Sequence, residues 1–147
     1  MYIARVLALT GFAICAPSIG HAQTVTETIT KWGLLGSWSI DCSARATDAG
    51  SSHLAYQIRE GKPVQIRNMG KDGDDVSVIS RATIGPDGSL EVRIEREGGR
   101  RSDIVFVRGP NRQIRAKVNR QADGTYIIRD AKFVSNGTPT KWQTRCQ

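Results

Sequence analysis

Two cysteines stand at opposite ends of a run of short alternating segments, and this arrangement constrains the fold more than any other feature of the chain. Cys42 ends the stretch Lys31–Cys42 (KWGLLGSWSIDC), and Cys146 ends Lys141–Cys146 (KWQTRC). Successive side chains of an extended strand point to opposite faces. Trp38, Ile40 and Cys42 therefore share a face on the first strand, and Trp142, Thr144 and Cys146 share one on the last. Each end aims a Trp and a Cys the same way, which predicts a sheet closed on itself and stapled by a Cys42–Cys146 disulfide; two free thiols are the alternative.

Between the cysteines the hydrophobic pattern alternates with period two. Leu54, Tyr56 and Ile58 alternate with Ala55, Gln57 and Arg59, and Val64 and Ile66 with Gln65 and Arg67. Leu90, Val92 and Ile94 form the cleanest case, set against Glu91, Arg93 and Glu95. The segments are separated by turn signals such as Glu60-Gly61, Gly85-Pro86-Asp87-Gly88, Gly109-Pro110-Asn111, Ala122-Asp123-Gly124 and Ser135-Asn136-Gly137, where Gly accepts positive φ and Pro presets a negative one. About eight or nine short strands result, with no helical period among them. Tight turns favour antiparallel neighbours, so the expected fold is an all-β up-and-down meander closed into a barrel. Closure removes the edges that an open sheet offers to other chains.

The N-terminus divides the chain. Arg5 precedes the apolar run Val6 to Ala16, and Gly20-His21-Ala22 follows. This is the three-part pattern of a secretory signal, with an apolar run too short to span a bilayer. The expected division is residues 1–22 as a signal peptide, 23–35 as an N-terminal arm and 36–147 as the barrel domain. An uncleaved membrane anchor is the alternative. Of the three cysteines, Cys15 leaves with the signal, so Cys42 and Cys146 form an even pair in an oxidising compartment. The arm, Gln23–Thr30, is polar and Thr-rich and reads as flexible or as a short added strand. Ser43–Ser52 reads as an exposed loop.

The formal charge of +7, or +6 once Arg5 leaves, suits an anionic partner. By alternation Arg115, Lys117, Arg129, Lys141 and Arg145 point outward from three successive strands, which lie about 4.8 Å apart in a sheet, and would form one basic face. Few aromatics interleave it and export separates it from cellular nucleic acid, so a lipid headgroup, an anionic glycan or an acidic protein is the expected partner rather than nucleic acid. An ordinary solvated face is the bland reading. Trp38, Ile40, Leu54, Tyr56, Val64, Ile66, Val92, Ile94, Val118 and Trp142 would line the interior. With about eight strands that interior is either filled by side chains or holds one small ligand; Trp38, Tyr56 and Trp142 are the candidate ligand-binding residues.

Catalytic chemistry finds little to use. His53 is the one histidine after residue 22, and its neighbour Ser52 faces the other way on an extended strand. A zinc site is short of ligands. The acidic turn Asp72, Asp74, Asp75 lacks the spacing and terminal Glu of a calcium loop. No metal, cofactor or catalytic residue is assigned, and the expected class is a non-enzyme.

Gly36-x-Trp38 opening a meander of this size resembles the lipocalin-like superfamily. That likeness implies a barrel and a basic residue of the last strand against the Trp, for which Arg145 is the positional candidate. LLGSWSIDCS together with TKWQTRCQ resembles a group of small secreted alphaproteobacterial proteins to which no activity attaches, and implies a periplasmic or secreted protein. A Gly-x-Trp strand followed by Cys is also similar to the invasion-associated locus B proteins, and small secreted protease inhibitors on lipocalin-like barrels are a further comparison. The expected function is an exported binding protein for a small apolar ligand or an anionic envelope component. The alternative is a protein-interaction factor, such as a protease or lysozyme inhibitor or a host-contact protein, acting through the arm and the Ser43–Ser52 loop.

Overall fold

A computed structural model describes residues 23–45, 53–68 and 72–146. The signal-peptide expectation and most of the Ser43–Ser52 loop lie outside the described residues.

Helix α1 (Val25–Trp32) is followed by ten strands: β1 (Gly36–Ser39), β2 (His53–Arg59), β3 (Lys62–Asn68), β4 (Asp74–Ile84), β5 (Leu90–Glu95), β6 (Arg101–Arg108), β7 (Ile114–Gln121), β8 (Tyr126–Arg129), β9 (Lys132–Phe133) and β10 (Thr144–Cys146). All pair antiparallel in one sheet of order β10-β1-β2-β3-β4-β5-β6-β7-β8-β9. The all-β meander is therefore present. The ladder is not a closed barrel: β10 and β9 end it without pairing with each other. One isolated bridge, Ile114 with Gln143, joins the start of β7 to the chain entering β10 through two backbone bonds of 3.0 and 2.8 Å. No described helix is long and apolar enough to cross a membrane.

The arm is a helix, not a flexible segment or a strand. Thr24 caps it: its hydroxyl accepts from the Glu27 N–H at 3.2 Å, while the Glu27 carboxylate accepts from the Thr24 N–H at 2.8 Å. This reciprocal capping box satisfies two of the N–H groups that a helix start leaves unpaired. Gly33 ends the helix at φ 82°, a left-handed position that glycine takes without a Cβ penalty. Val25, Ile29 and Trp32 recur at helical spacing and aim at the sheet, where α1 packs on β4 and β3. The Trp32 indole N–H donates to the Gly88 carbonyl at 2.8 Å and ties the helix to the β4–β5 turn.

The core forms between α1 and the inner face of the sheet. Ile29, Trp32, Leu34, Trp38, Ile79, Leu90, Val92 and Ile94 are buried together with Tyr56, Ile104, Phe106 and Ile114. The Trp38 indole donates to the Leu34 carbonyl at 2.7 Å, so its one polar atom is satisfied in the core.

The disulfide joins Cys42 to Cys146 across 104 residues, with Cα atoms 5.5 Å apart. Its geometric cause differs from the expected one. Cys146 stands opposite Ser37, and Trp38 stands opposite Arg145. Directly paired residues share a face, so Cys146 lies on the face away from Trp38. Cys42 reaches it because β1 ends at Ser39 and the chain turns there, the Ser39 hydroxyl donating to the Asp41 carbonyl at 2.8 Å.

Candidate functional site

The inner face of the sheet carries a filled core beside α1 and a cavity of about 470 Å³ beyond it. Leu54, Tyr56, Ile104, Phe106, Ile128 and Phe133 supply its apolar wall. Tyr56 and Phe106 meet edge to face with centroids 6.0 Å apart, an arrangement their ring quadrupoles favour. Thr138, Pro139 and Thr140 form one side, held by the Thr140 hydroxyl, which donates to the Ala116 carbonyl at 2.8 Å.

Polar groups enter this wall at few points. Gln65 is buried and donates through Nε2 to the Tyr56 hydroxyl at 3.0 Å. Burial pushes the Tyr56 hydroxyl pKa well above its ordinary value, against the opposing bond from Gln65, so the group remains a neutral phenol and can still donate its proton. Arg67, Arg96 and Lys141 also line the cavity, and no carboxylate does. Arg96 donates to the Ser102 hydroxyl at 2.9 Å. Its pKa is lowered by burial first and then by the neighbouring Arg67 charge. Positive charge is thus concentrated where the cavity wall is otherwise apolar.

The expected interior residues divide. Tyr56, Leu54 and Ile40 line the cavity, while Trp38, Val92 and Ile94 belong to the core beside the helix. Val64 and Ile66 are buried as expected, but on the outer face. Gln65 pairs with Tyr56 and with Ser77, so these three point inward and the flanking valine and isoleucine point outward beside Val76 and Val78. Val118 is likewise outward, opposite Val105. Trp142 is also corrected. Its ring lies 2.7 Å from where a Cβ on Gly109 would stand, and the Arg115 guanidinium sits 4.3 Å above it. It packs outside the sheet and has no part in the cavity wall.

The expected basic face does not assemble. Arg115 covers Trp142, and Arg129 covers Tyr126 at 5.3 Å. Lys117 is the extra residue at a register shift, between Ala116, which pairs with Phe106, and Val118, which pairs with Val105. Lys141 lines the cavity and Arg145 lines a separate cleft with Trp32, Trp38 and Arg108. The last strand presents the face opposite to the expected one, with Arg145 across from Trp38, and a change of one residue moves every side chain across the sheet.

His53 stands opposite Ser39 on β1, but the Ser39 hydroxyl is spent on the backbone of Asp41. The Asp41 carboxylate in turn accepts from the Ser43 hydroxyl and N–H, at 2.7 and 2.9 Å, and these bonds hold its pKa below the usual value. The three residues build a turn, not a relay. Among the described residues no three His, Cys, Asp or Glu side chains gather where they could hold a metal ion.

No family model matches the chain, and no curated protein or solved structure matches it with significance.

Proposed function

We propose that this chain is an exported, non-enzymatic binding protein of lipocalin-like build that carries a small, mostly apolar molecule. The cavity supports this reading: at about 470 Å³ it falls within the roughly 300–1,000 Å³ of small-molecule sites, and its wall is apolar with a few fixed polar groups. The Ile114–Gln143 bridge is the seam at which the sheet would close around the ligand, and α1 plugs the far end. The apolar body of the ligand packs on Phe106, Ile104 and Ile128. Its polar end meets the Tyr56 hydroxyl or the cations Arg67, Arg96 and Lys141. The disulfide suits an oxidising compartment, periplasmic or extracellular, and the resemblance to small secreted bacterial proteins points the same way.

The protein-interaction reading keeps one favourable observation, the exposed outer valines Val76 and Val78. Its arm, however, is built into the core, since Thr28, Ile29 and Trp32 are buried. Trimming the arm would unfold the protein instead of releasing an inhibitory tail.

The test is fluorescence enhancement of the neutral dye N-phenyl-1-naphthylamine with the wild type and with Ala116→Trp, which fills the cavity. Saturable enhancement by the wild type, lost in a variant with an unchanged far-ultraviolet spectrum, is the expected result. Equal enhancement by both, or none by either, sinks the carrier reading.

A further inference from the structure

The cleft around Arg145 holds the second concentration of unpaired positive charge, at the opposite, helix-plugged end of the sheet. It measures about 630 Å³ and is lined by residues of α1, the β6–β7 turn and β10. Three guanidiniums enter it, those of Arg108, Arg112 and Arg145, with the Asn111 side chain beside them and no carboxylate. The ion pairs among the described residues use Arg81, Arg93 and Arg120 instead. Arg108, Arg112 and Arg145 take part in none of these pairs.

Two of the three are seated in advance. The Arg108 guanidinium lies 4.6 Å from the Trp32 ring centroid, a cation–π contact that fixes its plane. Arg145 lies against Gly36, where a Cβ would stand 2.6 Å from its Nε. Gly36 is at φ 130°, so the missing side chain is required both by the backbone and by the arginine. Arg112 comes from a turn in which Asn111 and Arg112 both adopt φ 58°. The Gln113 N–H closes this turn on the Pro110 carbonyl at 3.2 Å, a hairpin geometry whose two central residues both take positive φ.

We propose that this cleft is a binding site for a phosphate or diphosphate group. Three guanidiniums, two of them seated in advance, exceed what one carboxylate can neutralise. A group with two or more negative charges and at least three acceptor oxygens can take a planar fork from each. Binding also relieves the mutual repulsion of the three cations. The group belongs either to a soluble phosphate ester or to the headgroup of an anionic envelope lipid, which share this chemistry. The site is independent of the apolar cavity, because it lies at the other end of the fold and shares none of its lining residues.

The experiment titrates the folded, disulfide-bonded protein with pyrophosphate at physiological salt, following tryptophan fluorescence, since Trp32 and Trp38 both line the cleft. Saturable binding is expected. Arg145→Gln and Arg112→Gln should each weaken it about tenfold or more, the usual effect of losing a charged hydrogen bond, and Arg115→Gln should leave it unchanged. Arg112 is exposed on its turn, so its variant keeps the test informative if Arg145→Gln destabilises the fold. A parallel sedimentation with phosphatidic acid vesicles, against phosphatidylcholine vesicles, identifies the source. Retention that Arg112→Gln abolishes assigns the site to a lipid headgroup, and pyrophosphate binding without retention assigns it to a soluble ester. Absence of saturable pyrophosphate binding, or binding that Arg112→Gln and Arg145→Gln both leave intact, overturns the proposal.

Discussion

Single residues in this protein act through what stands directly opposite them. Gly109 exists to admit the Trp142 ring, which occupies the space where a Cβ would be. Gly109→Ala should force that ring and the Arg115 guanidinium above it outward. The expected cost is about 1–3 kcal/mol of the kind that overpacking brings, together with a red shift of tryptophan emission; an unchanged denaturation midpoint would contradict this placement. Asp103 is the acid with the richest set of partners. Arg93 donates to it twice, at 2.7 and 3.2 Å, and Arg120 once at 3.5 Å. The bonds from Arg93 lead in lowering its pKa, against partial burial, with the Arg93 charge and Arg120 adding to them. A carboxylate whose pKa is depressed on folding contributes stability above its unfolded value, about 3.9 for Asp, and loses it as pH falls through the folded value. Asp103→Asn should therefore be less stable than wild type at pH 7, and the gap should shrink as pH drops below about 4. Urea melts of both proteins from pH 7 to 2 would show it, and a constant gap would mean the pairs contribute nothing.

At the scale of elements, the helix is the part whose local cause is clearest. Thr24-x-x-Glu27 is a readable capping signature, and Val25, Ile29 and Trp32 have helical spacing. The segment nonetheless reads as a flexible arm or a short added strand, because it is polar and rich in threonine, a β-branched residue that favours strands. A segment of eight residues is too short to be helical alone; the groove on β3 and β4 supplies what propensity lacks. Thr24→Ala removes the hydroxyl that accepts from the Glu27 N–H and should cost about 1 kcal/mol. Since Ile29 and Trp32 belong to the common core, the loss should appear in the single global unfolding transition. A separate early loss of helical signal would show that α1 frays independently. The strands present the opposite case. Their existence was plain from alternation, but β3 carries buried Gln65 inward and Val64 and Ile66 outward. The hydrogen bond from Gln65 to the Tyr56 hydroxyl makes the inverted choice stable, and nothing within the segment itself reveals the partner.

For the whole molecule, the disulfide is the connection that the ladder most needs. β10 is three residues long and pairs with β1 along its length, and Gln143 just before it meets β7 through one bridge. Cys42 and Cys146 close a loop of 104 residues, worth about 4–5 kcal/mol in the chain-entropy account. Replacing both with serine should lower the unfolding free energy by several kcal/mol, and it should also free β10 and loosen the cleft around Arg145, to which Thr144, Arg145 and Cys146 contribute. Denaturant titration checks the first expectation, and hydrogen exchange at the amides of β10 checks the second. Full protection of β10 in the double variant would show that pairing alone holds the edge.

What the sequence by itself determined was the repetitive, local part: strands from period two, antiparallel order from short turns, and the Cys42–Cys146 pairing from the position of the two cysteines. Tertiary structure decided which face of each strand looks inward. It turned Trp142 out and Lys141 and Arg145 in, divided the five expected surface cations among several environments, and left a cavity beyond the helix. The physical reason is symmetry. Alternation marks two faces without saying which is the inside, and only the partner across the sheet, such as Tyr56 for Gln65 or Trp38 for Arg145, breaks the tie.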